Sequence, residues 1–225
     1  MPSLNDAIQK LAKEAAKLAA VSKVIGLGSG STAAFVVKEL AAMDGAGKME
    51  FIPTSLQIKI EAEKYHLRMA DENRIPQIDI VFDGADQIDA KFNMIKGGGG
   101  ALLREKILIS CAKRVVIMAD ESKFVKMLSR SVPIEVHSMA RTSAAKKLTE
   151  MGGTPILRLL DKGYPFVSEN GNVILDTKFA SIDDPKKMER DLKNIPGVME
   201  AGIFTRTPDV FYKAKSDGAF EKILT

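Results

Sequence analysis

The sequence predicts an α/β protein: a parallel sheet covered on both faces, followed by a smaller antiparallel α+β lobe. Two observations carry this. Between residues 24 and 119, short continuous apolar runs alternate with helical stretches. Beyond about residue 131 the pattern changes to β-α-β-β-α-β, which suits a small antiparallel lobe. The expected division is a larger domain over 1–130 plus 205–225, with the small lobe at 131–204.

Each element has its own signal. Ile8, Leu11, Ala15 and Leu18 recur at helical spacing, so residues 5–20 read as an amphipathic helix. Val24 to Gly28 is a short apolar run ending in glycine, a buried strand, and Thr32 to Met43 is helical. Met49 to Ile52 is the second strand, and a charged helix covers roughly 56–65. Ile78 to Phe82 is the third strand, 101–112 a helix, and Val115 to Ala119 the fourth strand. In the lobe, Pro133 to Val136 reads as a strand and Ala140 to Met151 as a helix broken by Gly152-Gly153. Ile156 to Leu160 and Phe166 to Leu175 resemble strands, the latter turning at Asn170-Gly171, a hairpin step. A helix starts at Asp184-Pro185 and stops at Pro196-Gly197, and Val198 to Phe204 is a further strand. The tail, 209–215 and 219–224, can return to the first domain.

Composition narrows the function. The 225 residues are 45% hydrophobic and 28% charged, which excludes a disordered chain or a collagen. The net charge of +4 favours a small anion but is too weak and too evenly spread to argue for nucleic acid. One cysteine rules out an internal disulfide and fits a reducing cytosol. The N-terminal stretch is studded with Lys and Glu and lacks the apolar core of a signal peptide. No stretch approaches the roughly 18 apolar residues of a membrane span. A cytoplasmic protein with no membrane partner is expected.

Ligands of open parallel sheets bind beyond the carboxyl ends of the strands. Here the strands run into Gly28-Ser29-Gly30-Ser31-Thr32, Pro53-Thr54-Ser55, Asp83-Gly84-Ala85-Asp86 and Ala119-Asp120-Glu121-Ser122-Lys123. Lys96-Gly97-Gly98-Gly99-Gly100 lies directly before the 101–112 helix. The Ser29–Thr32 turn offers backbone N–H groups and hydroxyls to an anion. Its alternative is a tight turn with an ordinary helix cap. Gly26, Gly28 and Gly30 form G-x-G-x-G rather than a dinucleotide fingerprint, and no Lys-Ser/Thr follows to make a Walker A loop. Asp83 and Asp86, with Asp89 three further on, read as hydroxyl-binding or acid/base carboxylates, as turn residues, or as a Mg²⁺ site. Lys96 beside four glycines places a cation next to a helix N-terminus. Glu105 is either an exposed first-turn carboxylate or a general base at the edge of an anion site. Cys111 continues the face of Leu103, Ile107 and Leu108 and reads as core; His66 and His137 have no ligand-like neighbours.

Taken together, GLGSGSTAAF at 26–35, PTSLQ at 53–57, DGADQID at 83–89, KGGGGALLREK at 96–106, ADESK at 119–123 and PGVMEAGIF at 196–204 resemble the A-type ribose-5-phosphate isomerase family, in family order over most of the chain. The resemblance implies a Rossmann-like parallel sheet domain with a ferredoxin-like lobe. It implies interconversion of ribose 5-phosphate and ribulose 5-phosphate through an enediol, in the non-oxidative pentose phosphate pathway. It implies no cofactor, no metal, and a homodimer or homotetramer. Glu105 matches the family's proton acceptor, and Lys96 the lysine that steadies the enediolate. Asp83 and Asp86 match carboxylates that hold the sugar and assist ring opening. Ser29, Gly30, Ser31, Thr32, Gly84, Ala85, Gly97, Gly98, Gly99 and Lys123 match further substrate-binding positions. Ser29 stands where many members carry Thr, and Gln87 where Glu is commoner. Two other readings remain: a sensor domain that binds a sugar phosphate without turnover, and a CoA-transferase-like enzyme with a nucleophilic Glu. A regulator of the first kind should carry a helix-turn-helix segment, and none is evident.

Overall fold

The computed structural model describes residues 3–225. It divides into two compact units: one holds the chain up to Ala85, Arg104–Lys123 and Thr207–Thr225, the other Asp86–Leu103 and Phe124–Arg206. In chain order come α1 (Leu4–Ala16), β1 (Val24–Leu27), α2 (Gly30–Ala41), β2 (Glu50–Pro53), α3 (Leu56–Lys64) and β3 (Ile80–Gly84). Two short strands, β4 (Gln87–Ile88) and β5 (Met94–Ile95), precede α4 (Leu102–Cys111) and β6 (Arg114–Asp120). Then follow β7 (Val132–Val136), α5 (Arg141–Glu150), β8 (Gly153–Leu157), β9 (Val173–Phe179), α6 (Pro185–Lys193) and β10 (Val198–Ala201). The last are β11 (Ile203–Phe204), β12 (Val210–Ala214) and β13 (Phe220–Leu224).

The first unit is built on a six-stranded sheet in the order β13-β12-β6-β3-β1-β2. Every pairing is parallel except that of the edge strand β13. The apolar runs are continuous because both faces are covered. Ile25, Leu27, Phe82, Met118 and Tyr212 enter one core with Leu11 of α1 and Val36 and Leu40 of α2. Buried Phe51 and Phe82 each contribute roughly 1.5–3 kcal/mol by leaving water. Ser3 and Asp6 form a reciprocal capping box at the start of α1, and Ser55 caps α3 through the Ile58 N–H.

Asp79, just before β3, ties the sheet's amino edge. Its carboxylate accepts from the N–H groups of Lys23 and Val24, at 2.8 and 3.1 Å, and from Lys113 Nζ at 2.7 Å. Burial pushes this carboxyl up, but the bonds from Lys113 and the two backbone N–H groups outweigh it and hold the group below its usual range. A depressed folded-state value stabilises the protein above the unfolded value, about 3.9, and that share is lost as pH falls through the folded value. Asp79→Ala is therefore expected to cost about 1–3 kcal/mol at neutral pH. In urea titrations the gap to the parent chain should close below about pH 3.9. A gap independent of pH would assign the loss to packing.

In the second unit, β10-β7-β9-β8 form a four-stranded antiparallel sheet. Numbered within the lobe, the order is 4-1-3-2, the ferredoxin-like arrangement. Ala144 and Leu148 of α5 and Leu192 of α6 pack with Val132, Ile134 and Val136 in one core. The alternate residue Glu135 is fully buried, its Oε1 accepting from Ser168 Oγ and from the side-chain amides of Asn170 and Asn172, at 2.7, 3.0 and 2.8 Å. A three-stranded sheet, β11-β5-β4, completes the unit.

Three expectations are corrected. The single strand over 198–204 is two strands in different sheets, divided at Gly202. A Cβ there would lie 2.4 Å from the Lys96 carbonyl oxygen, and the Gly202 N–H donates to Pro133 O at 2.7 Å. The hairpin at Asn170-Gly171 is reduced to one bridge, Val167 to Val173, because residues 168–172 bond to Glu135 and to each other. Cys111 is exposed, not core. The buried stripe of α4 is Leu102, Glu105, Leu108 and Ile109, while Ile107 is also exposed. Among the described residues, no helix is long and apolar enough to cross a membrane.

Candidate active site

The first unit brings four of the sequence clusters to the carboxyl ends of adjacent strands. The register sets Leu27 of β1 beside Phe82 of β3 and Pro53 of β2, and Gly84 of β3 beside Met118 of β6. The turns that follow these strands therefore share one edge of the sheet, where parallel folds bind ligands.

Two buried carboxylates converge on the turn between β1 and α2. Asp83, 1% exposed, lies over Gly28: a Cβ at Gly28 would stand 2.0 Å from Asp83 Oδ1. The same Oδ1 accepts from the Gly84 N–H at 2.7 Å. Glu105, 2% exposed, projects from α4, and its Oε1 accepts from Ser29 Oγ at 2.5 Å. Ser29, read from the sequence as part of an anion cradle, thus turns its hydroxyl to Glu105. This bond holds the acid in one orientation. Gly30 follows with φ 87°, a left-handed conformation that suits glycine, and its N–H donates to Gln57 Oε1 at 3.1 Å. Ser31 and Thr32 occupy the first turn of α2, the positive end of the helix dipole. Ala85 ends this unit's first segment. Lys123, in the turn after β6, is half-buried and lies 3.7 Å from Asp120 Oδ2.

The second unit carries Asp86, Lys96 and the glycine loop. Asp86 Oδ2 accepts from the Gly98 N–H at 2.8 Å, and the Asp86 N–H donates to Ile95 O at 2.8 Å. Lys96 is 3% exposed, with its N–H on Gly202 O at 2.9 Å and its ammonium 5.5 Å from the centre of the Phe204 ring. A buried lysine over an aromatic face is a cation held out of water, suited to developing negative charge. Asp89 is spent on local structure. It accepts from the N–H groups of Lys91 and Asn93 and from the Asn93 amide, closing the β4–β5 turn. Gln87 accepts from the N–H groups of Ser129 and Arg130 at 2.7 and 2.9 Å, which fixes backbone rather than facing a ligand. Among the described residues, no group of three or more His, Cys, Asp or Glu could hold a metal ion. Sequence reasoning missed Gln57 and Arg158. The first lay within a recognised motif without a role, and the second bonds the carbonyls of Gly97 and Gly98, which no side-chain pattern records.

Comparison with known proteins identifies the family of the chain. The family described as ribose 5-phosphate isomerase A (phosphoriboisomerase A) matches residues 50–218. A ribose-5-phosphate isomerase A of Methanosarcina acetivorans is 41% identical over 214 residues, covering 94% of this chain and 91% of that protein. One from Korarchaeum cryptofilum is 41% identical over 217 residues, covering 95% of each. The solved ribose 5-phosphate isomerase A of Methanocaldococcus jannaschii superposes with a TM-score of 0.91 at 38% identity, covering 99% of this chain and all of that one. A D-ribose-5-phosphate isomerase solved in complex with phospho-erythronic acid gives 0.88 at 35% identity, over the full length of both. With the parallel sheet, the ferredoxin-like lobe and the buried carboxylates, these matches make the chain a member of the ribose 5-phosphate isomerase A family.

Proposed function

We propose that this protein interconverts ribose 5-phosphate and ribulose 5-phosphate, with Glu105 carrying the proton between C2 and C1. The observation that carries the reading is the buried Glu105 carboxylate, oriented by Ser29 at the carboxyl edge of the sheet. In the open-chain aldose, Glu105 removes the C2 proton; the C–H electron pair becomes the C1–C2 double bond, and the carbonyl pair moves to O1. The enediolate is stabilised by Lys96. Glu105 then returns the proton to C1 on the C1–C2 double-bond pair, the O2–H pair becomes the C2 carbonyl, and the O2 proton passes to O1, which gives the ketose. Atoms and electrons balance without a redox partner. Asp83 and Asp86 are proposed to hold the sugar hydroxyls and assist ring opening. The Ser29–Thr32 turn and Lys123 are proposed to anchor the phosphate, whose binding energy then positions the reacting carbons.

The test is ribulose 5-phosphate formation by protein treated exhaustively with EDTA. Full activity is expected, with competitive inhibition by inorganic phosphate and by phospho-erythronic acid, a phosphorylated acid whose carboxylate resembles the enediolate. Lys123→Ala should raise KM about tenfold, the loss of one charge-assisted contact. An unchanged KM without anion competition would assign Lys123 to the solvated surface. Acyl exchange in place of isomerisation would overturn the reaction itself.

A further inference from the structure

We propose that Arg158 is a positioning residue of this reaction, clamping the Lys96–Gly100 loop from the side opposite Asp86; the proposal rests on the isomerase reading above. Four consecutive glycines bring no side chains to hold themselves in place, and glycine loses more backbone freedom on ordering than any other residue. The order must be supplied from elsewhere. Arg158 Nη1 donates to the carbonyls of Gly97 and Gly98, both at 2.9 Å. Its Nε and Nη2 donate to Asp176 Oδ2 and Oδ1 on β9, at 2.8 and 2.5 Å. The guanidinium also lies 5.5 Å from the centre of the Phe166 ring, and that ring packs directly on Gly100. Arg158 is thus fixed by a bidentate ion pair to a sheet strand, which leaves the two N–H donors of Nη1 for the loop.

The direction of these bonds matters. In a trans peptide the carbonyl and the following N–H point opposite ways. With the Gly97 and Gly98 carbonyls on Arg158, the N–H groups of Gly98 and Gly99 face away from it. The Gly98 N–H meets Asp86 Oδ2 at 2.8 Å. The loop is therefore gripped on its carbonyl side by Arg158 and on its amide side by Asp86, immediately after Lys96. Arg158 touches no reacting atom in this scheme. It acts through the backbone that carries Lys96 and presents the Gly99 N–H. Only a planar fork with several donors can serve a carboxylate and two carbonyls at once, so lysine is no substitute. A cavity of about 480 Å³ lined by Asp86, Gly98, Arg130, Arg158 and Asp176 opens beside the clamp, and is large enough to admit a small guanidinium ion.

Arg158→Ala is expected to lower kcat by about 10–100-fold with KM within roughly threefold, as for a displaced catalytic group. Methylguanidinium at low millimolar concentration should restore part of that loss, and leave the parent chain and Arg158→Lys unchanged. Hydrogen exchange at residues 96–101 should accelerate in Arg158→Ala. A folded Arg158→Ala with kcat within twofold of the parent overturns the proposal. So does a lowered kcat with unchanged loop exchange and no response to methylguanidinium. Should Arg158→Ala fail to fold, Asp176→Asn, which loosens the guanidinium, should give a smaller fall in kcat and faster loop exchange; if neither change occurs, the clamp is overturned. Absence of turnover by the parent chain sinks the isomerase reading instead, and the loop exchange rates still decide whether Arg158 clamps the loop.

Discussion

Glu105→Gln is expected to lower kcat by about 10²–10⁴, the contribution of a positioned acid or base. Glutamine fills the same volume, and its Oε1 can still accept the Ser29 hydroxyl that now meets the carboxylate at 2.5 Å. The fold and the orientation of the side chain should survive, so KM should change little. What the amide cannot do is accept a proton. A fall in kcat at nearly constant KM marks an interaction realised in the transition state. The decisive readout is exchange of the C1 hydrogen of ribulose 5-phosphate with D₂O, which should disappear. Exchange at a rate near that of the parent chain would make Asp83 or Asp86 the base.

The second large effect is expected at Lys96. Replacement by Met keeps most of the buried stem and removes the ammonium, with its charge, its N–H donors and its contact with the Phe204 ring. Loss of one preorganised group facing a developing oxyanion costs about 10²–10³ in kcat. Here the base is intact, so turnover and C1 exchange should fall by the same factor. Phospho-erythronic acid should bind more weakly by a larger factor than KM rises, because it carries the charge that the enediolate develops. Equal weakening of inhibitor and substrate would reduce Lys96 to a ground-state contact.

The larger unit was legible because its strands are buried on both faces, so β1, β2, β3 and β6 each carry a continuous apolar stretch that needs no knowledge of its neighbours. The glycine and aspartate clusters were legible for a related reason: each follows such a run, and a parallel sheet gathers those ends at one edge. Glu105 itself was ambiguous by spacing, and only its motif singled it out. The reason is visible in α4. Its buried stripe is centred on Glu105, so the apolar residues alone give the wrong phase, and Cys111 was placed inside when it lies outside. A buried carboxylate on the inner face of a helix defeats a reading that equates buried with apolar. The strands β4 and β5 have two residues each, too few for any periodicity. The division at Gly202 depends on the backbone of Lys96, and the role of Arg158 on carbonyls some sixty residues away. Contacts of side chain to distant backbone leave no trace in residue spacing.

The two glycines of the β1–α2 turn constrain any attempt to remodel this scaffold by directed evolution, and they do so for opposite reasons. At Gly28 the obstacle is volume: the space a Cβ needs is already filled by the Asp83 carboxylate. No single replacement there can be accepted unless Asp83 changes as well, so the two positions must move as a couple, through an intermediate that lacks one of the proposed sugar-binding acids. At Gly30 the space is empty and the obstacle is torsional, with φ 87°. Asparagine or aspartate tolerates that conformation at modest cost, so this position can be sampled one mutation at a time. A library aimed at longer or differently charged substrates gains by opening Gly30 and leaving Gly28 fixed.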